Sequence, residues 1–529
     1  MSATAELSRA GGIPSTERAP RPRAELIAYA ALVAIALVLR LIDLDARPFH
    51  HDESQDAYFS WVFFTQGDYQ YQPILHGPLR FYLTSLVYLV LGDSDHSARL
   101  APALMGTGMV ALPYLLRAQI GRVAALTTAA LLAVGPSYLY FSRFAREDIY
   151  IACITLGLLV VVFRFLDRPR RHQPAIIGAL LALSFATKES TFITVFVAGT
   201  FFLALLAWQV RRAARFREAP LVATVTSVGW QAWAWGLAAF ALTFTVLFTT
   251  FLTHPAGLWD GIHDGLDYWL GQHGVGRGGE PWFYYVVILF AHEWPVLLLG
   301  GVGTIVALRH PTVLRVFLVW AFVVSLAVYS WAGEKFAWLV LHPLLPLLLL
   351  AGLGAQAIWQ ARSRLGVAVC AAAAAYVVFA SWNANAVHRA DPREFLVTTQ
   401  SSEDVLGVRD EVIAAAERLR RAGQTPSITV DSSDGATFPW AWYFRDLPAG
   451  YVDLKTGRPL PGSQIVLVLD SNREAQLNNL RGFQGRRFRL RVWWVREYDE
   501  QSPGNWWRWF TRREPWNPTG SLDEWLYVR

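Results

Sequence analysis

Long apolar runs broken by short polar stretches dominate the first 385 residues. Runs of about 20 residues are long enough to cross a bilayer as helices. They fall near 24–42, 97–116, 122–141, 147–165, 174–189, 191–210, 224–250, 283–307, 312–331, 338–358 and 365–385. The pattern predicts about eleven transmembrane helices. A shorter run, PLRFYLTSLVYLVL (78–91), is too short to span and is expected to lie at the interface or to re-enter the membrane. After residue 386 the pattern changes. DVLGVRDEVIAAAERLRR (404–421) has the period of an amphipathic helix. SITVD (427–431) and QIVLVLD (464–470) read as buried strands bounded by turn residues. The expected fold class is an α-helical polytopic membrane protein with a small C-terminal α/β domain. Its parts are a disordered N-terminus (1–23), a transmembrane domain (24–385) with a long first loop (43–96), and a soluble tail (386–529).

Charge then orients the helices. Arg117 and Arg122, Arg168 to Arg171, Arg211 to Arg217, Arg309 with Arg315, and Arg362 with Arg364 fall in alternate loops. Basic loops stay on the cytoplasmic side, so the N-terminus is expected to be cytoplasmic and the remaining loops and the tail extracytoplasmic, in a multi-pass plasma-membrane protein. The opposite loops are acidic, above all 43–96. The chain is 54% hydrophobic and only 17% charged, and its net charge of +6 is absorbed by this topology. A nucleic-acid partner is therefore not expected. Cys153 and Cys370 both lie in apolar runs, which excludes a disulfide framework and a cysteine zinc site. Only three of the 47 basic residues are lysine: Lys188, Lys335 and Lys455.

The candidate chemistry lies in the acidic-side breaks. PFHHDESQDAY (48–58) places Asp52 and Glu53 just after the first membrane helix. Carboxylates at the edge of an apolar bundle are costly to keep ionised and usually have a task; the competing reading is a solvated acidic loop. YQPILHGPLRFY (71–82) sets His76 at a Gly-Pro turn, where it either binds a ligand or bonds to the backbone. FSRFAREDIY (141–150) packs Arg143, Arg146, Glu147 and Asp148 between two spans. Arginine forks suit phosphate, although an ion pair within the loop would use the same residues. FATKEST (185–191) carries Lys188. YSWAGEKFAWLVLHPLLPL (329–347) carries Glu334, Lys335 and, deeper, His342. Cations, carboxylates and aromatic residues on one side of the membrane suit a lipid-linked, phosphorylated sugar. The oxygen set of Asp52, Glu53 and Asp148 is compatible with a divalent ion, magnesium or manganese. Nothing in the sequence requires one, and no cofactor is expected to be necessary.

HHDES, HGPL, SRFARED and SWAGEK with its downstream His-Pro pair resemble the GT-C superfamily of membrane glycosyltransferases. The nearer branches are the protein O-mannosyltransferases and lipid A aminoarabinose transferases, and more narrowly the flippase activity-associated proteins of archaeal N-glycosylation and their bacterial relatives. The resemblance covers about 40–350. It implies an inverting transferase that takes a sugar from a polyprenyl-phosphate donor on the outer face of the membrane and passes it to a glycan, lipid or protein acceptor. It makes Asp52 the base, with Glu53 beside it, and Asp148 the second acidic position. Arg143, Arg146, Lys188 and Lys335 become candidates for the lipid phosphate, with His76, Glu334 and His342 around them. The alternative is a non-catalytic accessory that handles or helps flip lipid-linked glycans.

Overall fold

The computed structural model describes residues 22–67, 69–272 and 276–529. Most of the expected N-terminal segment, 1–21, lies outside these residues. Two compact units form. One holds the described residues up to Ile42, the stretch ending at Leu83, and Leu100–Trp382. The other holds Asp43–Gly67, Thr84–Arg99 and Asn383–Arg529. Two segments of the long first loop thus fold with the tail.

The first unit is helical. Among the described residues, nine helices are long and apolar enough to cross a membrane, or ten if one bent pair counts as a span. About eleven were expected, and two positions account for the difference from this count by length and composition. Gln173–Phe185 has 13 residues; at about 1.5 Å rise per residue it covers about 20 Å, short of a hydrocarbon core about 30 Å thick. Arg122–Val134 and Pro136–Ser142 meet at a 53° break. Gly135 is extended there, and Pro136, which lacks an N–H, starts the second helix. A further helix, Gly257–Gln272, lies outside the expected set; its Asp260, Asp264 and Asp267 interrupt the apolar pattern. Leu79–Leu91 is helical and 13 residues long, as the short run at 78–91 suggests.

Helices in this unit approach closely through small residues. A Cβ on Gly303 would lie 1.8 Å from the Leu350 carbonyl oxygen, and one on Gly354 would lie 2.0 Å from that of Leu299. Tyr284–Arg309 and Leu341–Gln360 are thus in backbone contact. Pro295 bends the first of these helices, and Glu293 leaves helical geometry there. The Tyr376 hydroxyl donates to the Ala291 carbonyl, 2.8 Å away, which Pro295 leaves without its helical donor.

The second unit is built on a six-stranded mixed sheet. In chain order the strands are β1 (Gln400–Ser401), β2 (Ile428–Asp431), β3 (Ala449–Val452), β4 (Ile465–Leu469), β5 (Gln484–Trp493) and β6 (Gly520–Val528). Their spatial order is β1-β5-β6-β4-β2-β3. β2 runs parallel to β3 and β4, and the other pairs are antiparallel. β2 and β4 are buried along their whole length, as their continuous apolar runs require. The Asp404–Arg421 helix buries Val405, Val408, Val412 and Ala415 on one face. These residues share a core with Trp440, Trp442 and Leu467 and with Phe49, Ala57, Tyr88 and Ala98 from the first loop.

Candidate functional site

The site in the helical unit starts from two backbone breaks that lock together. After Phe185 the chain turns through Ala186 and Thr187 before the Thr191–Val210 helix begins. The His76–Leu79 stretch docks on this turn. Gly77 N–H donates to the Thr187 carbonyl (3.1 Å) and Leu79 N–H to that of Ala186 (2.8 Å). Only glycine fits at 77, since a Cβ would meet the Ala186 oxygen at 2.2 Å. The docked loop delivers His76 and Arg80; the turn delivers Lys188 and Glu189. The third contributor is the stretch between the bent pair and the next helix, where Glu147 takes the N-cap position of the Asp148–Asp167 helix without a side-chain capping bond. That cap puts Asp148 at the positive end of the helix dipole.

These groups form one buried network. Lys188 Nζ lies 3.0 and 3.2 Å from the two oxygens of Asp148, and His342 Nε2 is 3.8 Å from Oδ1 of the same carboxylate. Glu147 receives Arg146 (3.1 Å), Arg80 (3.5 Å) and His76 Nε2 (3.5 Å). His76 Nδ1 is 2.7 Å from Glu189. Arg80 also donates to the Leu75 carbonyl. Aromatic rings wall the network: Arg146 lies over Trp338 at 4.9 Å, Trp338 stacks on Phe144 and Phe336, and His342 stacks on Tyr329. Burial alone would push Glu147 up, but Arg146, Arg80, His76 and Lys188 hold it well below the usual carboxylate range. Burial pulls His76 down, yet Glu189 and Glu147 more than compensate and raise it. Lys188 is raised against its burial by Asp148 and Glu147 and stays a cation. Three carboxylates thus face Arg80, Arg146, Lys188 and an imidazole with raised proton affinity.

His76, Arg146, Asp148, Lys188 and His342, all singled out in the sequence, meet here. Arg143 does not join them; its Nη1 donates to the Leu39 carbonyl at 2.7 Å. Lys335 donates to the Ala332 carbonyl, and its backbone N–H bonds Arg277. Burial lowers the Lys335 ammonium. Glu334 adds to the negative field at Lys188. Arg80, Glu147 and Glu189 complete the network. Arg80 was legible only as loop charge, although it stands two residues after Pro78, within the first turn of its helix.

The second unit holds the DE pair. His50 caps the His51–Gln66 helix through a reciprocal capping box with Glu53. Glu53 is fully buried, with Arg99 Nε and Nη2 at 2.8 and 3.0 Å and Arg47 Nη2 at 3.3 Å. Asp52 stands in the first turn with its side chain 26% exposed, and His50 Nδ1 is 4.0 Å away. Beside it, His51 Nδ1 is 2.7 Å from Arg491. Burial and that guanidinium push His51 down to about 4. Among the described residues, no group of three or more His, Cys, Asp or Glu is disposed to hold a metal ion. Glu53 already faces two arginines and Asp148 a lysine, so neither presents the open oxygens a divalent ion needs. The aromatic stretch of the tail is structural: Trp440 and Trp442 are buried, and Trp442 and Arg445 bond Asp95 and Asp93.

The profile of the dolichyl-phosphate-mannose-protein mannosyltransferase family matches residues 75–230, the stretch that supplies His76, Arg80, Arg146, Glu147, Asp148 and Lys188. No curated protein matches the chain in sequence. The fold is similar to those of solved ArnT and oligosaccharyltransferase structures. ArnT from Cupriavidus metallidurans bound to undecaprenyl phosphate superposes with a TM-score of 0.61 at 16% identity, covering 86% of this chain and 95% of that one. The Archaeoglobus fulgidus oligosaccharyltransferase in the apo form superposes at 0.53 with 14% identity, over 81% of this chain and 60% of its own. Its complex with an inhibitory peptide and a dolichol-phosphate gives 0.51 at 13% identity, over 79% and 59%.

Proposed function

We propose that the protein is an inverting glycosyltransferase that takes its sugar from a polyprenyl-phosphate donor on the outer face of the membrane. The observation that carries this reading is the buried network of Arg80, Arg146, Lys188 and His76 inside the segment that matches the mannosyltransferase family. An ArnT of the same fold is bound to undecaprenyl phosphate, which supports a lipid phosphate as the ligand of these cations. Arg146 and Lys188 hold the phosphate, and His76 supplies a further donor. Asp52, the less buried acid of the DE pair, takes the proton of the acceptor hydroxyl. The acceptor oxygen attacks the anomeric carbon, the bond from that carbon to the phosphate oxygen breaks, and the lipid phosphate leaves. Glu53, clamped by Arg99 and Arg47, fixes the turn that carries Asp52. No step here uses a metal.

The test is transfer by purified protein in vesicles supplied with radiolabelled polyprenyl-phosphate sugars and membrane-extract acceptors, scored separately from lipid binding. Asp52→Asn is expected to lose roughly 10²-fold or more of transfer and keep binding, whereas Lys188→Met loses binding. Lipid binding without transfer by the wild type would replace the enzyme with a carrier of lipid-linked glycans. Transfer indifferent to Asp52 would remove it as the base.

A further inference from the structure

The break between Arg122–Val134 and Pro136–Ser142 engages two ionisable side chains that the proposed transfer leaves unused. It strands backbone groups. Pro136 has no N–H, so the Leu132 carbonyl loses the donor that a continuous helix would supply. The Ser137 N–H turns away from the Ala133 carbonyl, which is stranded in the same way. Inside a membrane such groups need partners from neighbouring helices. Two helices provide them. Arg40, near the end of Pro22–Leu41, is fully buried. Its Nη2 donates to the Leu132 carbonyl at 2.9 Å and its Nη1 to that of Ala133 at 3.0 Å. Glu293 leaves the helical path beside Pro295 and is also buried. One of its oxygens accepts the Ser137 N–H at 3.1 Å and the Ser137 hydroxyl at 2.8 Å. Among the described residues, no ion pair joins Arg40 to a carboxylate or Glu293 to a cation. Ionisable groups at membrane depth are costly and mark a task, and these two are committed to one break.

The short helix after the break is held at its other end as well. Arg143 donates to the Leu39 carbonyl at 2.7 Å, so the end of the first span grips the short helix on both sides. Gly106 makes room for this, since a Cβ there would meet Ser142 Cβ at 2.4 Å and Arg40 Nε at 3.0 Å. The Tyr138 hydroxyl donates to the Leu341 carbonyl at 2.8 Å, next to His342. Residues 143–147 alone separate the short helix from the one that starts with Asp148. The bend is 53°. A helix of seven residues is about 10 Å long, so straightening the run would swing its end by about 9 Å. Lys188 and Asp148 are 3.0 Å apart, and no such swing leaves them paired.

We propose that Arg40 and Glu293 are positioning residues that hold this break open and thereby set Arg146, Glu147 and Asp148 against Arg80 and Lys188. Arg40 occupies the carbonyls before the break and Glu293 the N–H after it. Loss of either lets the run relax toward a straight helix. Their weight in function rests on the phosphate-binding reading above, but the clamp acts on the pairing of Asp148 with Lys188 and needs no ligand.

The test is a double-mutant cycle repeated in altered backgrounds, on the full chain in mixed micelles. Asp148→Asn, Lys188→Met and the double variant are compared in equilibrium unfolding, in the wild type and in Glu293→Gln, Glu293→Leu and Arg40→Met. In the wild type the two groups are expected to be coupled by roughly 30-fold or more in the unfolding equilibrium. Glu293→Gln keeps an acceptor oxygen for Ser137 and should keep the coupling. Glu293→Leu and Arg40→Met remove the clamp and should bring the cycle to within about twofold of additivity. A role in stability alone would lower all corners of the cycle together and leave the coupling at its wild-type level, which would overturn the proposal. A wild-type cycle already additive would overturn it too, as would a loss in Glu293→Gln as complete as in Glu293→Leu. Gly135→Ala with Pro136→Ala restores the missing N–H and reaches the same readout without burying an orphaned group. Its coupling should fall as far, and coupling kept there would also overturn the proposal. Titration of the same variants with undecaprenyl phosphate in nanodiscs separates the two readings. Binding at full stoichiometry but at least roughly tenfold weaker is expected wherever the coupling is lost. A wild type that fails to bind, with coupling that still follows the clamp, would remove the phosphate reading and support the positioning.

Discussion

The Asp148–Lys188 pair offers the sharpest test of the charged network. Both side chains are almost wholly buried, and Nζ lies about equally close to the two carboxylate oxygens. Two unit charges about 3 Å apart attract by about 5 kcal/mol at an effective dielectric constant of 20. Removing one member leaves the other charge buried, which costs about 3–5 kcal/mol. Lys188→Met is expected to lose that much stability in equilibrium unfolding in mixed micelles, and Asp148→Asn a similar amount. The double variant should lose about 2–3 kcal/mol less than the sum, because neither orphaned charge remains. His342 near Asp148 and Glu147 near Lys188 are left in place, so the cycle isolates this pair. Additivity within about 0.5 kcal/mol would refute the reasoning and show that the pair is solvated.

Two further outcomes follow from the same geometry. Gly77→Ala forces a methyl group against the Ala186 and Thr187 backbone, with 2.2 and 2.6 Å to atoms that cannot swing away. It should cost about 1–3 kcal/mol and weaken polyprenyl-phosphate binding, measured by titration in detergent, because His76 and Arg80 ride on that loop; native affinity would show that the docking is soft. In the tail, burial pushes Glu524 up to about 8 although Trp440 donates to it. Its folded-state value lies above the unfolded one, so its stability contribution is complete below about pH 4 and is lost as pH rises through about 8. The loss is on the order of 5 kcal/mol for a shift of this size. Glu524→Gln should flatten that decline in pH-dependent melting curves, and an unchanged decline would place its origin elsewhere.

Much of this was legible from local pattern. The 404–421 helix and the two buried strands emerge where periodicity and turn residues put them, because each signal is complete within its own segment. The likeness in fold to ArnT was signalled by motifs at the breaks. The reading differs from the observed helix at 174–189, where hydropathy runs on but the helix ends before Lys188, whose partner Asp148 lies 40 residues away. It wavered at 122–141, where Gly135-Pro136 bends an apolar run without interrupting it. The role of Arg80 was hidden because only folding brings the Glu147 carboxylate to it. The fate of Glu53 was hidden likewise, since it depends on Arg99, 46 residues on. Long-range ion pairs leave no periodic trace.

The composition of the second unit constrains how the protein is made. Phe49 N–H bonds the Tyr443 hydroxyl, and the two are 394 residues apart. Phe49 and Ala57 belong to a core completed by strands near the end of the chain. At about 5–20 residues per second, the first loop emerges from the ribosome roughly 20–80 s before its partners exist. During that interval its apolar face is uncovered while the membrane helices are being inserted. The order of synthesis thus leaves a waiting half-domain that needs shelter, from a chaperone or from the bilayer, until translation ends.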